Sequence, residues 1–218
     1  VVLLDSDFTN LPQVVMEGRR VIHNVTRTAQ VFFIKTIYSV LVSRFCLVAN
    51  QPFPFIPIQI TLIDAFVEAW PAFLTILEAD TRKVKGSFLR TALSNAAPFG
   101  LTVTVMIAAV SMTTPFLDGQ NRTVMYLLLI LISMTAVLRS CIPLTKLRAF
   151  VCITMILGCF GALAILPSLF ELSPISFGMA AYVVAGYAAA LVLLALLEGL
   201  RRLLYTANQG KTSDSALR

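Results

Sequence analysis

The chain has 218 residues, 58% of them hydrophobic and 13% charged, with a mean hydropathy of +0.86. Soluble domains carry roughly 25% charged residues, so this composition excludes a soluble fold and points to an integral membrane protein. The net charge of +6 comes from basic residues in short loops between apolar runs, not on an aromatic-interleaved face, so no nucleic-acid partner is expected.

The opening, VVLLDSDF, reads as a short buried strand entering a turn. A lone strand cannot fold, so the expectation is the C-terminal piece of a longer protein, opening inside a soluble domain. Asp7 or Thr9 can then cap a helix with Pro12 in its first turn, where the missing donor does no harm. From Asn10 the pattern is amphipathic and passes into the apolar run Val31 to Ala49 without a stop after Gly18. One long helix is predicted, a stalk that becomes the first span, about 60 Å long at 1.5 Å per residue. His23 reads as a solvated stalk residue, and Arg44, near the far end, as one that snorkels to the interface. Three prolines in QPFPFIP break the chain and make the second span an antiparallel neighbour.

The second span, IPIQITLIDAFVEAWPAF and beyond, is apolar yet carries two carboxylates. Asp64 and Glu68 are four apart and share a helix face. Each costs about 3 kcal/mol or more at the middle of a membrane helix, and such residues usually line an ion path or a buried interface. Pro71 has no amide hydrogen, so the carbonyl of Val67 loses its helical partner and is free to face a ligand. Two carboxylates and a released carbonyl form a cluster of hard oxygens suited to a cation. The alternative is a pair of structural acids beside a plain kink.

Four further spans follow, with polar or proline-rich breaks between them, so the boundaries fall at about 28–49, 56–77, 88–112, 123–138, 149–166 and 177–199. Asn95, Pro98 and Gly100 disturb the first half of the third. Cys46, Cys141, Cys152 and Cys159 lie in or beside apolar segments and read as packing residues. Glu198 precedes Arg201 and Arg202 by three and four positions, a helix-surface ion pair. Fourteen of the seventeen basic residues fall on one side of this topology and only Arg122 on the other, which places both termini in the cytosol. The expected organisation is a soluble remnant and stalk start at 1–20, a six-span domain at 21–205 and a polar cytosolic tail at 206–218.

The stretch VVLLDSDFTNLPQVVMEGRRVIHNV resembles the end of the phosphorylation domain and the stalk of P-type cation-transporting ATPases, and PFIPIQITLIDAFVEAWPAF resembles their sixth membrane helix. There I-P-x-Q opens the span and a proline follows the ion-binding acid. The likeness covers Val1 to about Arg90 well and the later spans by number and length; it is best to the bacterial calcium-pump-like branch. It implies an all-α six-helix membrane bundle with a short remnant of an α/β phosphorylation domain. It also implies Thr36 and Ser39 as ligands beside Asp64, Val67 and Glu68. Calcium pumps typically show Asn, Thr and Asp where this chain has Asp64, Val67 and Glu68, and Asn and Glu where it has Thr36 and Ser39. Lys35 resembles a lysine of proton-exchanging members, which suggests an internal counter-ion paired with Glu68.

As the resemblance implies, the parent would use ATP and magnesium in its missing N-terminal part, whose D-K-T-G-T aspartate motif does not occur in these residues, so no cofactor is expected here. The partners expected are the transported cation, the lipid bilayer of a bacterial plasma membrane, and that missing part. The function implied is the ion-binding half of a pump for calcium or another divalent cation. A proton or monovalent-cation pump, a six-span secondary transporter, and a lipid-flipping or orphan pump with structural acids are the alternatives. No self-similarity between the first and last three spans supports the secondary transporter.

Overall fold

The computed structural model describes residues 11–75, 88–113 and 116–215. They form six helical rods, and no strand occurs among them. The structure is therefore all-α where described; the strand expected at the start, the caps at Asp7 and Thr9 and the charged loop after the second span lie outside these residues.

The first rod, α1 (Leu11–Val48), runs unbroken from the amphipathic stalk into the apolar run, with Pro12 in its first turn as the sequence predicts. Its 38 residues span about 57 Å, nearly twice the hydrocarbon thickness of a bilayer. The prolines after it force a loop, and Pro57 opens the second rod at a position where no amide is needed. That rod comprises α2 (Pro57–Ile63), a π-helical segment (Asp64–Ala69) and α3 (Trp70–Thr75). The remaining rods are α4 (Phe88–Thr113), α5 (Asp118–Ser140), α6 (Lys146–Ile165) and α7 (Phe177–Ser215). Five helices, α1 and α4 to α7, are each long and apolar enough to cross a membrane. The second rod, with the π segment inside it, packs against α1, α5 and α6.

The centre of the bundle is α5, which packs against α1, α4, α6, α7 and the π segment. Tyr126, Leu128, Leu129 and Ile130 on it are all but completely buried, whereas Leu157, Val184, Val192 and Leu196 on the peripheral α6 and α7 point outward. Apolar residues outside and a packed helix within are what a lipid solvent demands. The most extensive pairing is α1 with α4. At its centre Gly100 admits Ile37 so closely that a Cβ on the glycine would fall 2.5 Å from the Ile37 Cγ2. The small residue that looked like a disturbance in the sequence is a packing device. Pro98 is likewise absorbed within α4, and the Thr102 hydroxyl donates to its carbonyl at 2.7 Å.

Polar side chains fasten the two ends. At the end carrying the turn 141–145, Arg148 folds back so that its guanidinium donates to the carbonyls of Cys141 and Pro143, at 3.4 and 3.0 Å. Arg139 of α5 pairs with Glu198 of α7, so this carboxylate reaches across a helix interface. Arg201 donates to Asn95, which in turn donates to Gln30 at 3.3 Å, and this chain links α7, α4 and α1. At the opposite end the Gln59 amide donates to the Phe170 carbonyl at 2.9 Å, while the Tyr126 hydroxyl donates to the Gln59 carbonyl at 2.9 Å. Gln59, the glutamine of I-P-x-Q, thus holds the start of α2 to α5 and to the connection between α6 and α7.

Candidate ion site in the second span

Inside a bilayer a carbonyl without a donor has no water to turn to, so the missing amide of Pro71 must be accommodated by the helix itself. The turn before it widens. Asp64 still bonds back in the α manner, its amide reaching Ile60 and Thr61, but the Trp70 amide bonds Ala65, five residues back. The sequence predicts a kink with one released carbonyl at Val67; the structure spreads the change over six residues, with Val67 fully buried inside the π segment. Single π turns of this kind are frequent at functional sites. Two contacts with α6 fix the segment in place. The Trp70 indole donates to the Thr154 hydroxyl at 2.9 Å, and the Phe66 ring lies where a side chain at Gly158 would be.

The two carboxylates diverge. Asp64 is half-exposed and receives the Lys35 ammonium on both oxygens, each at 2.6 Å. The pairing expected from the sequence, Lys35 with Glu68, is therefore replaced by Lys35 with Asp64. The reason is local: Asp64 lies at the end of regular α-helix on the side facing α1, whereas the widened turn that follows aims Glu68 into the bundle. Glu68 is 4% exposed, and its Oε2 has no hydrogen-bond partner among the described residues. A buried carboxylate oxygen left in this way costs several kcal/mol unless something else satisfies it.

The structure brings Lys35, Asp64, Val67 and Glu68 together. Thr36 stands apart, exposed and with its hydroxyl donated to the Phe32 carbonyl one turn back at 3.2 Å. Ser39 is half-buried on the Lys35 side of α1. The sequence reading missed Tyr38, which is 1% exposed, lies within electrostatic reach of both carboxylates, and has a hydroxyl with no partner among the described residues. Its signal was its position three residues after Lys35, on an adjoining strip of the same helix face. A small cleft reaches Glu68 from the end of the bundle that carries the basic turn, between Arg27 and Thr28 of α1, Pro71 and Ala72 of α3, and Ser140 and Cys141. All four cysteines are buried free thiols, and no cluster of three metal-ligating side chains occurs among the described residues.

No known family profile matches the chain. It is 37% identical over 187 residues to a probable cation-transporting ATPase of Streptococcus pneumoniae, a match that covers 81% of this chain and 24% of that protein. It is 41% identical over 115 residues to a calcium-transporting ATPase of Mycobacterium tuberculosis and 39% over 113 residues to one of Mycolicibacterium smegmatis, covering just under half of this chain and 14% of each relative. The chain thus spans about a quarter or less of the length of these relatives.

The ion pair gives a double-mutant test. Lys35→Met and Asp64→Asn each leave one partner without its counter-charge, so each lowers the thermal midpoint of the full-length protein in detergent. The double variant recovers stability relative to the sum of the two, with a coupling of about 1 kcal/mol or more. Strictly additive losses would mean that the two groups do not interact.

Proposed function

The chain is homologous to a C-terminal portion of bacterial cation-transporting P-type ATPases, and from that premise we propose that it forms the ion-binding half of the pump's membrane domain. The observation that carries the reading is Glu68, a carboxylate buried in a broken membrane helix with an oxygen that nothing among the described residues satisfies. A cation arriving there gains a hard anionic ligand and removes the desolvation cost of the bare carboxylate at once. Val67 adds a backbone oxygen from the widened turn, with Asp64 and Ser39 at the margin. Thr36 joins only if α1 turns, since in this arrangement its hydroxyl is tied to its own helix.

Calcium is the first choice of cargo, because the relatives named for their ion are calcium-transporting. A second reading, protons or a single monovalent ion, draws support from Lys35. Two carboxylates and one ammonium leave a net charge of about −1, enough to hold one cation but poor for several divalent ions. In either case ATP and magnesium would act in the part of the pump outside this chain. Phosphorylation of an aspartate there would move the stalk, and α1, continuous from stalk to site, would carry the movement to Lys35 and Asp64. Homology to an ATPase family favours this over a secondary transporter. It also favours cargo ions over a lipid-flipping scaffold with structural acids.

The basic end of the bundle would face the cytosol, with both termini on that side of a bacterial plasma membrane. Cys141, inside the basic turn, is buried and makes a poor reporter, whereas Leu144 and Leu117 at opposite ends are 65% and 77% exposed. A membrane-impermeant maleimide applied to intact cells should label Leu117→Cys and spare Leu144→Cys; the reverse pattern would invert the topology.

In the full-length protein, Glu68→Gln removes the charge while keeping the shape. The calcium concentration that half-activates ATP hydrolysis should rise by about tenfold or more, equivalent to about 1.4 kcal/mol. An unchanged activation curve would sink the assignment of Glu68.

A further inference from the structure

Four tyrosine side chains are described, and three of their hydroxyls are engaged. Tyr126 donates to the Gln59 carbonyl at 2.9 Å, Tyr182 shares a hydrogen bond with Thr113 at 2.6 Å, and Tyr187 shares one with Thr135 at 2.7 Å. Tyr38 is the exception. Its ring is the largest of the side chains that α1 buries against the bundle, yet its hydroxyl is left without a partner. Orphaned polar groups in membrane interiors are rare because neither solvent nor lipid satisfies them. Here two of them, the Tyr38 hydroxyl and Glu68 Oε2, lie on elements that pack against each other, α1 and the π segment, and both residues are more than nine-tenths buried and within electrostatic reach of each other.

A pair of unsatisfied oxygens that do not bond each other is the arrangement expected around an atom that belongs between them. A dehydrated cation needs about six to eight oxygens if it is calcium, and Glu68 supplies at most two. Asp64 is held by Lys35 on both of its oxygens. A phenol oxygen has lone pairs to offer a cation without adding charge, so it raises coordination number while leaving the net charge of the site at −1. We propose that the Tyr38 hydroxyl is a cation ligand, and that together with Glu68 it forms the inner wall of the site, on the side of α1 away from Thr36. The inference rests on the reading of Glu68 as the ion-binding acid and adds a neutral ligand that sets how tightly one cation is held.

The test is equilibrium binding of radioactive calcium to the purified full-length protein in detergent, comparing Tyr38→Phe, Tyr182→Phe and Glu68→Gln with the unaltered protein. Tyr38→Phe deletes one oxygen and keeps the buried ring, so the dissociation constant should rise by about fivefold or more, a share of the tenfold that a charged ligand commands. Tyr182→Phe loses a hydroxyl already committed to Thr113, away from the second rod, and should bind calcium as the unaltered protein does. If Glu68→Gln weakens binding while Tyr38→Phe superimposes on the unaltered protein, the Tyr38 proposal fails and the Glu68 reading stands. If Glu68→Gln also leaves binding unchanged, both fail. Should Tyr38→Phe not survive purification, 3-fluorotyrosine incorporated at position 38 gives a fluorine resonance that must shift as calcium saturates the protein. A resonance that calcium does not move overturns the proposal.

Discussion

Pro71 has no amide hydrogen for the carbonyl four residues before it, and in the interior of a membrane no water replaces that donor. The second rod answers by widening one turn into a π segment, Asp64–Ala69, and the rest of the bundle is arranged to hold that segment still. Below it Trp70 is fastened to α6, beside it Phe66 fills the space left by Gly158, and above it Gln59 is tied to α5 and to the α6–α7 connection. A helix weakened at one point is supported at three. The central α5 touches the π segment as well as four of the other rods, so a change of register at Glu68 cannot occur without being felt across the core.

The same widened turn divides the labour between two carboxylates that a regular helix would present together. Asp64 stays with α1 and is neutralised by Lys35; Glu68 turns inward and is left with an unsatisfied oxygen. The difference is energetic as well as geometric. A paired carboxylate at a half-exposed position costs the bundle little, whereas an unpaired one inside it is tolerable only if a cation, a proton or a water completes it. α1 carries Lys35 and Tyr38 on adjoining strips of one unbroken helix, so a single rigid element holds Asp64 through Lys35 and sets Tyr38 within electrostatic reach of Glu68.

Much of this was legible in the sequence because the signals are strong ones. Long apolar runs and the three prolines in QPFPFIP suffice to place the rods, and two acids in an apolar run draw notice to the segment that the structure finds broken. What was not legible depends on geometry that periodicity does not encode. The partner of Lys35 turned on whether the segment after Asp64 is α or π, a choice set by Pro71 together with packing on Thr154 and Gly158 from a helix more than eighty residues later. Glu198 looked like a surface residue because its own helix offers two arginines, and its pairing with Arg139 required knowing that α5 and α7 are neighbours. Tyr38 carried no charge to draw notice, and its role emerges only from a census of which buried hydroxyls are satisfied. Gly100 read as a flaw in a helix because the close approach of Ile37 is a property of two helices, not one.

The measurement that bears most directly on the account is the position of a bound cation. Crystals of the full-length protein grown with calcium and measured for anomalous scattering would locate it. The account predicts a peak at the π segment, with a Glu68 carboxylate oxygen within about 2.3–2.6 Å. A peak elsewhere in the membrane part, with both Glu68 oxygens hydrogen-bonded to protein, would contradict it.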